Sequence, residues 1–272
     1  MSTVAARTAP APFHFGHGQR ALFGACHAPS GHATGAMLIC PPLLQEGIRC
    51  HRALWTLAEA LADAGSLVLR FDWYGSGDSG GETEAIELPG LMHDIDAATT
   101  MLRGRSDGAH LRALGLRSAA LPLIAHASAG HAPVDLVLWA PQLDGRAMVA
   151  AWREQHLQQL HAVGRYLGKT PPAGDGELLG FTPAARLLEQ LSALDATQMA
   201  LPSGSSLLLA QWRPCAFTDA FVQRQRAAGV EVELLALDGG DEPAWDDPVH
   251  FDTQLYPRRA VNALARHLAE AA

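Results

Sequence analysis

The sequence predicts an α/β fold: a mainly parallel sheet with helices on both faces and a helical insertion ahead of its last two strands. Three observations carry that expectation. Short apolar runs ("GAMLIC", "SLVLRF", "HLRALGL", "VDLVLW", "SSLLLA") alternate with stretches of helical spacing, as successive βα units require. The runs are almost continuously apolar, which suits strands buried on both faces. Between Leu143 and about Met199 the rhythm breaks, and only helical patterning is left.

The elements follow in order. The Ala/Pro-rich start is expected to be disordered through residue 12, and "FHFGHGQRALFGACHAP" reads as two short strands about a glycine turn. "GAMLIC" is a buried strand stopped by Pro41-Pro42, and "HRALWTLAEALADAG" is a helix closed by a glycine. "SLVLRF" is the next strand and runs into a long Gly/Ser/Asp loop. A helix over "ELPGLMHDIDAATTMLRG" leads to the strand "HLRALGL". The following helix, "SAALPLIAHASAG", tolerates Pro122 because it falls in the first turn. "VDLVLWAPQ" is a strand; "RAMVAAWREQHLQQLHAVGRYL" and "TPAARLLEQLSAL" are helices of the insertion. The chain closes with strand "SSLLLAQW", helix "FTDAFVQRQRAAG", strand "VEVELLAL" and helix "YPRRAVNALARHLAEA". Residues 13–142 and 200–272 thus form one core domain, with 143–199 a helical cap inserted into it.

Composition narrows the function classes. A net charge of -8 argues against nucleic acid or an anionic membrane as the main partner. No stretch has the length of a membrane span or the form of a signal peptide, and the four cysteines show no metal-ligand spacing, so a cytoplasmic protein without metal or cofactor is expected.

In an open α/β sheet the chemistry gathers in the loops at the carboxyl ends of the strands. One of these, "ALGLRSAAL", has the outline of a strand-to-helix turn that presents a nucleophile, G-x-Nuc-x-G, in which small residues flank the reactive one. Gly115 and Ala119 meet that demand when Arg117 stands at the nucleophile position. A register with Ser118 there puts Leu116 where a small residue is needed. Guanidinium has no lone pair with which to attack, so Arg117 is a binding residue or a brace.

The other loops are read against this turn. "PPLLQEGIRCHR" offers the Leu43 N-H as an oxyanion donor, since Pro42 has none, and places Glu46 and Arg49 as loop residues near the crevice. "DWYGSGDSGGE" lacks the phosphate-loop pattern and reads as structural. "RPCAFTD", where a triad acid would stand, has Asp219 only within the next helix. "DGGDEPAWDDPVHFD" places Glu242 near the expected base position and His250 well after it.

On the stretches "FDWYGSGDSGG", "GLRSAA", "LVLWAPQLDGR", "ELLGFTPA" and "GVEVELLALDGGDEPAW", spread over most of the chain after Gly35, the sequence resembles the α/β-hydrolase superfamily. More narrowly it is similar to the exosortase A system-associated hydrolases of the second type, found with bacterial exopolysaccharide genes. The resemblance implies that the G-L-R turn is inherited; it establishes no reaction.

The expected function is a degenerate-triad protein that binds an anionic or acyl small molecule, or a protein partner through the cap. Arg117, Leu43, Arg49 and Glu242 are its candidate ligand-binding residues. The alternatives are an ester or thioester hydrolase using Ser118 with a histidine such as His250, catalysis by Glu46 as a general base, and a purely structural partner.

Overall fold

The computed structural model describes residues 9–162, 176–247 and 256–270. Eight strands form one sheet in the order β1-β2-β4-β3-β5-β6-β7-β8. These are β1 Ala11–His17, β2 Arg20–His27, β3 Gly35–Cys40, β4 Ser66–Phe71, β5 His110–Leu116, β6 Asp135–Trp139, β7 Ser206–Gln211 and β8 Glu231–Ala236. The pairs β1-β2 and β2-β4 are antiparallel, and every other pair is parallel. The helices are α1 Gln45–Asp63, α2 Leu88–Arg103, α3 Ala120–Ala129, α4 Gly145–Ala162, α5 Ala185–Ser192, α6 Ala216–Ala227 and α7 Arg258–Glu270.

Because side chains on a strand alternate between faces, each central strand feeds two cores. Ala36, Leu38 and Cys40 of β3 join α2, α3, α4, α5 and α6 on one face. Met37 and Ile39 join α1 and α7 on the other. This double burial is why the strands read as continuous apolar runs rather than alternating ones.

The structure departs from the sequence expectation in two places. Ala11 and Pro12 already belong to β1, whose register runs from Ala11 opposite Cys26. The helix after β3 begins at Gln45, six residues before its expected start, so Glu46 and Arg49 are helical and not loop residues. The double proline masked this, since it ends only the strand. Gly47 is needed inside the first turn, where a Cβ would lie 2.8 Å from the Pro42 carbonyl oxygen.

Between β6 and β7 the described chain carries α4 and α5, which pack on each other, with isolated bridges but no strand. Trp152 of α4 and Leu187 and Leu191 of α5 are fully buried. Among the described residues no helix is long and apolar enough to cross a membrane.

Candidate functional site

The turn after β5 is built as the sequence suggests. Arg117 takes φ 51°, the left-handed region that L-residues avoid, and Arg117–Ala119 form a single 3-10 turn leading into α3. Gly115 suits this turn, because a Cβ there would lie 3.1 Å from the Ala120 Cα, tighter than side chains normally pack. Two more non-glycine residues with positive φ sit at neighbouring strand ends: Leu44 after β3 and Ala140 after β6. Such backbone costs on the order of 1 kcal/mol or more at each position and gathers at functional sites.

All three turns converge on Glu46, which is 2% exposed. Its Oε1 accepts from Arg117 Nη2 at 2.9 Å, Gln142 Nε2 at 3.0 Å and Trp152 Nε1 at 3.2 Å. Its Oε2 accepts from the Ser118 backbone N-H at 3.2 Å. Burial alone would raise this carboxyl, but the Arg117 charge and the hydrogen bonds from Ser118, Arg117 and Trp152 hold it below the usual glutamate range. For Arg117, burial favours deprotonation, and the Glu46 and Asp246 charges outweigh it, so the guanidinium stays charged.

Asp246, in the loop after β8, is the second counterion and accepts from Arg117 Nη2 and from Gln155 Nε2. That loop is pinned by Trp245, whose ring packs edge-on against Trp139 and Trp212 at 6.0 and 5.8 Å. Arg49 donates to the Trp245 carbonyl and, at 3.4 Å, to Gln155 Oε1. Arg117 Nη1 has no acceptor among the described residues, and Arg117 Nε is buried without one.

No protein-family model matches the chain, and no curated protein matches its sequence. Solved structures do match it, at low identity and over nearly its whole length. An α/β serine hydrolase homologue from Coxiella burnetii is 18% identical with a TM-score of 0.56, covering 99% of both chains. A soluble variant of monoglyceride lipase from Saccharomyces cerevisiae, in complex with a substrate analogue, is 10% identical with a TM-score of 0.64. That match covers 99% of this chain and 96% of the lipase. An esterase from Pyrococcus furiosus is 13% identical with a TM-score of 0.60, covering 96% of this chain and 91% of its own. The chain has the α/β-hydrolase fold.

Within the α/β-hydrolase fold the oxyanion hole is made by two N-H groups, that of the residue after the nucleophile and one from the loop after the third strand. The N-H groups at the corresponding positions here are those of Ser118 and Leu43, and both already have acceptors. Ser118 N binds the Glu46 carboxylate, and Leu43 N donates to Ser118 Oγ at 2.9 Å. Glu46 thus sets a buried carboxylate against the first of these two amides. Ser118 is fully buried; its Oγ accepts from the Leu43 amide, and its hydroxyl also favours the charged form of Glu46.

The other residues named from sequence are distributed unevenly. Arg117, Glu46, Leu43, Ser118 and Arg49 come together. Glu242 does not: it pairs with Arg213 at the surface, 2.8 Å from its Nη2, away from Arg117. Asp246, four residues later, is the acidic residue of that loop that reaches Arg117. His250 lies outside the described residues. Asp219 is on α6, as expected. Sequence reading missed Asp246, Gln142, Trp152 and Gln155. One available signal was "AWDD", an apolar anchor followed by carboxylates in the loop facing an uncompensated arginine. Among the described residues no group of three histidine, cysteine or acidic side chains is placed to hold a metal ion.

Proposed function

We propose that this is a non-hydrolytic α/β-hydrolase-fold protein that binds an anionic group of a small molecule or partner at Arg117. The observation that carries the reading is the double occupation of the hydrolytic apparatus: arginine at the nucleophile position and a carboxylate on the oxyanion donor. Glu46 is buried, takes four donated hydrogen bonds and is held below the usual glutamate range, so it is a weak base with no open path to water, which weighs against its use as a general base. Glu46 is the permanent counterion. Asp246, whose side chain is 58% exposed, is the exchangeable one, and an incoming carboxylate or phosphate replaces it while also meeting Nη1. In this proposal 143–199 acts as the cap over the site, and the protein works in the cytoplasm in an exosortase or exopolysaccharide context, as the G-L-R turn suggests.

Two measurements test it. A fluorophosphonate probe should leave the protein unlabelled; labelling that Ser118→Ala abolishes would replace this reading with a serine hydrolase. Butyrate and inorganic phosphate, titrated calorimetrically, should bind more tightly to Asp246→Asn than to the natural chain, and not to Arg117→Met. Equal binding by all three proteins would refute a site at Arg117.

A further inference from the structure

The loop "DWYGSGDSGG" takes no part in the Arg117 cluster, yet it roofs a cavity of about 520 Å3 on the α1 face of the sheet. The cavity exists because α1 covers β3 and β4 but leaves the face of β2 open beside its N-terminal half. Its apolar walls come from Phe23 and Ala25 of β2, Ile48 and Leu54 of α1, and Phe181. The volume falls in the range of small-molecule sites. None of the residues of the Arg117 ion cluster lines it, so a ligand here would be independent of anion binding at Arg117.

Two opposite charges stand in the wall. Arg70 of β4 is fixed from two sides: its Nε donates to His27 Nε2 at 3.1 Å, and its guanidinium lies 4.7 Å over the Trp55 ring. Since His27 Nε2 accepts, the His27 proton is on Nδ1 and is donated to Glu59 Oε1 at 3.1 Å. His27 is therefore neutral and leaves the Arg70 charge intact. Arg70 Nη1 and Nη2 have no acceptor among the described residues.

Asp72, two residues on, lies on the same side of the sheet. Its Oδ2 accepts from the Asp78 N-H at 3.0 Å, and Oδ1 has no partner among the described residues. Arg70 and Asp72 make no ion pair with each other, although both line one cavity. Burial lifts the Asp72 carboxyl and lowers the Arg70 guanidinium, so each charge is incompletely compensated. His51, also in the wall, is pushed toward its neutral form by burial and by Arg70. A simple anion would meet Arg70 but face Asp72 and the exposed Asp78. An amine would leave Arg70 unanswered. A ligand carrying both charges on one end satisfies both groups.

We propose that this cavity binds an α-amino acid with an aliphatic or aromatic side chain, its carboxylate on Arg70, its ammonium on Asp72 and its side chain against Phe23, Leu54 and Phe181. The test is isothermal titration calorimetry of the full chain with L-phenylalanine, 3-phenylpropionate and phenethylamine. L-Phenylalanine should bind saturably, and each single-charge analogue should bind roughly tenfold or more weakly, the scale of a lost charged hydrogen bond. Arg70→Met should weaken L-phenylalanine by a similar factor. Ala25→Leu, which narrows the cavity beside Arg70 and leaves both charges in place, should weaken binding by a similar factor with an unchanged circular dichroism spectrum. Should Arg70→Met fail to fold, Ala25→Leu decides alone. The proposal is overturned by no binding of L-phenylalanine up to about 10 mM, by 3-phenylpropionate binding equally well, or by an affinity that Ala25→Leu leaves unchanged.

Discussion

Replacing Glu46 by glutamine probes the ion cluster directly. The substitution keeps shape and volume but leaves the Arg117 charge without its buried counterion. It also breaks one hydrogen bond by geometry. If the new amide oxygen takes the Oε1 position and keeps Arg117, Gln142 and Trp152, the amide nitrogen faces the Ser118 N-H, donor against donor. Breaking one partner of a buried pair costs about 3–5 kcal/mol. At about 2.1 cal/mol/K per residue, the unfolding entropy of the 272-residue chain is about 0.57 kcal/mol/K, so Tm should fall by about 5–9 °C. Urea and thermal unfolding followed by circular dichroism measure both quantities. The double variant Glu46→Gln/Arg117→Met should recover part of the loss, because no unpaired charge is then left. The sign with pH is also fixed. Glu46 is held below its ordinary value near 4.5, so its contribution is fully present above that value and is lost as pH falls through the lowered one. The natural and Glu46→Gln proteins should therefore differ most at neutral pH and converge in acid. A loss below about 1 kcal/mol, or a difference independent of pH, would refute the assignment of Glu46 as the buried counterion.

Asp246→Asn should cost no more than about 1 kcal/mol in urea unfolding, because the Asp246 end of the pair is screened by water. Gly115→Ala should cost about 1–3 kcal/mol in the same assay, since its new methyl meets the Ala120 backbone, which cannot give way as a flexible side chain would. Cys215 is the exposed thiol, and hydrogen bonds from the Thr218 hydroxyl and the Thr218 and Phe217 amides favour its thiolate. Iodoacetamide should alkylate it first in the native protein, more slowly in Thr218→Val, while buried Cys26, Cys40 and Cys50 react only on unfolding; mass spectrometry of timed samples reads the order.

The sheet was legible because its signal is local and repeated. "AMLIC" and "LVLRF" are apolar at nearly every position for the physical reason that both faces of β3 and β4 are covered. The turn at Arg117 was legible because steric demand leaves a mark at fixed offsets, Gly115 and Ala119. The charge network was harder to read. Glu46 and Arg117 could be named as possible partners, but Asp246 is 129 residues from Arg117, and nothing in "AWDDP" says which of two aspartates turns inward. Trp152 reads as a helix residue with an apolar face; that its indole N-H caps a carboxylate on another helix is a tertiary fact. Glu242 was singled out by counting loop positions to the expected base, a count that does not register how Trp245 anchors the chain beside Arg117.

The engaged Ser118 amide also bears on how such a chain could change. Serine in place of Arg117 would not by itself make this turn a hydrolytic site. It would strand the Glu46 carboxylate on the Ser118 amide, setting negative charge where a tetrahedral intermediate develops its own, and Leu43 would still be engaged by the Ser118 hydroxyl. Glu46, Arg117 and Asp246 would have to change together, each step alone leaving a buried charge without its partner. Any stepwise replacement of this cluster therefore crosses a stability valley, which ties the three positions to one another.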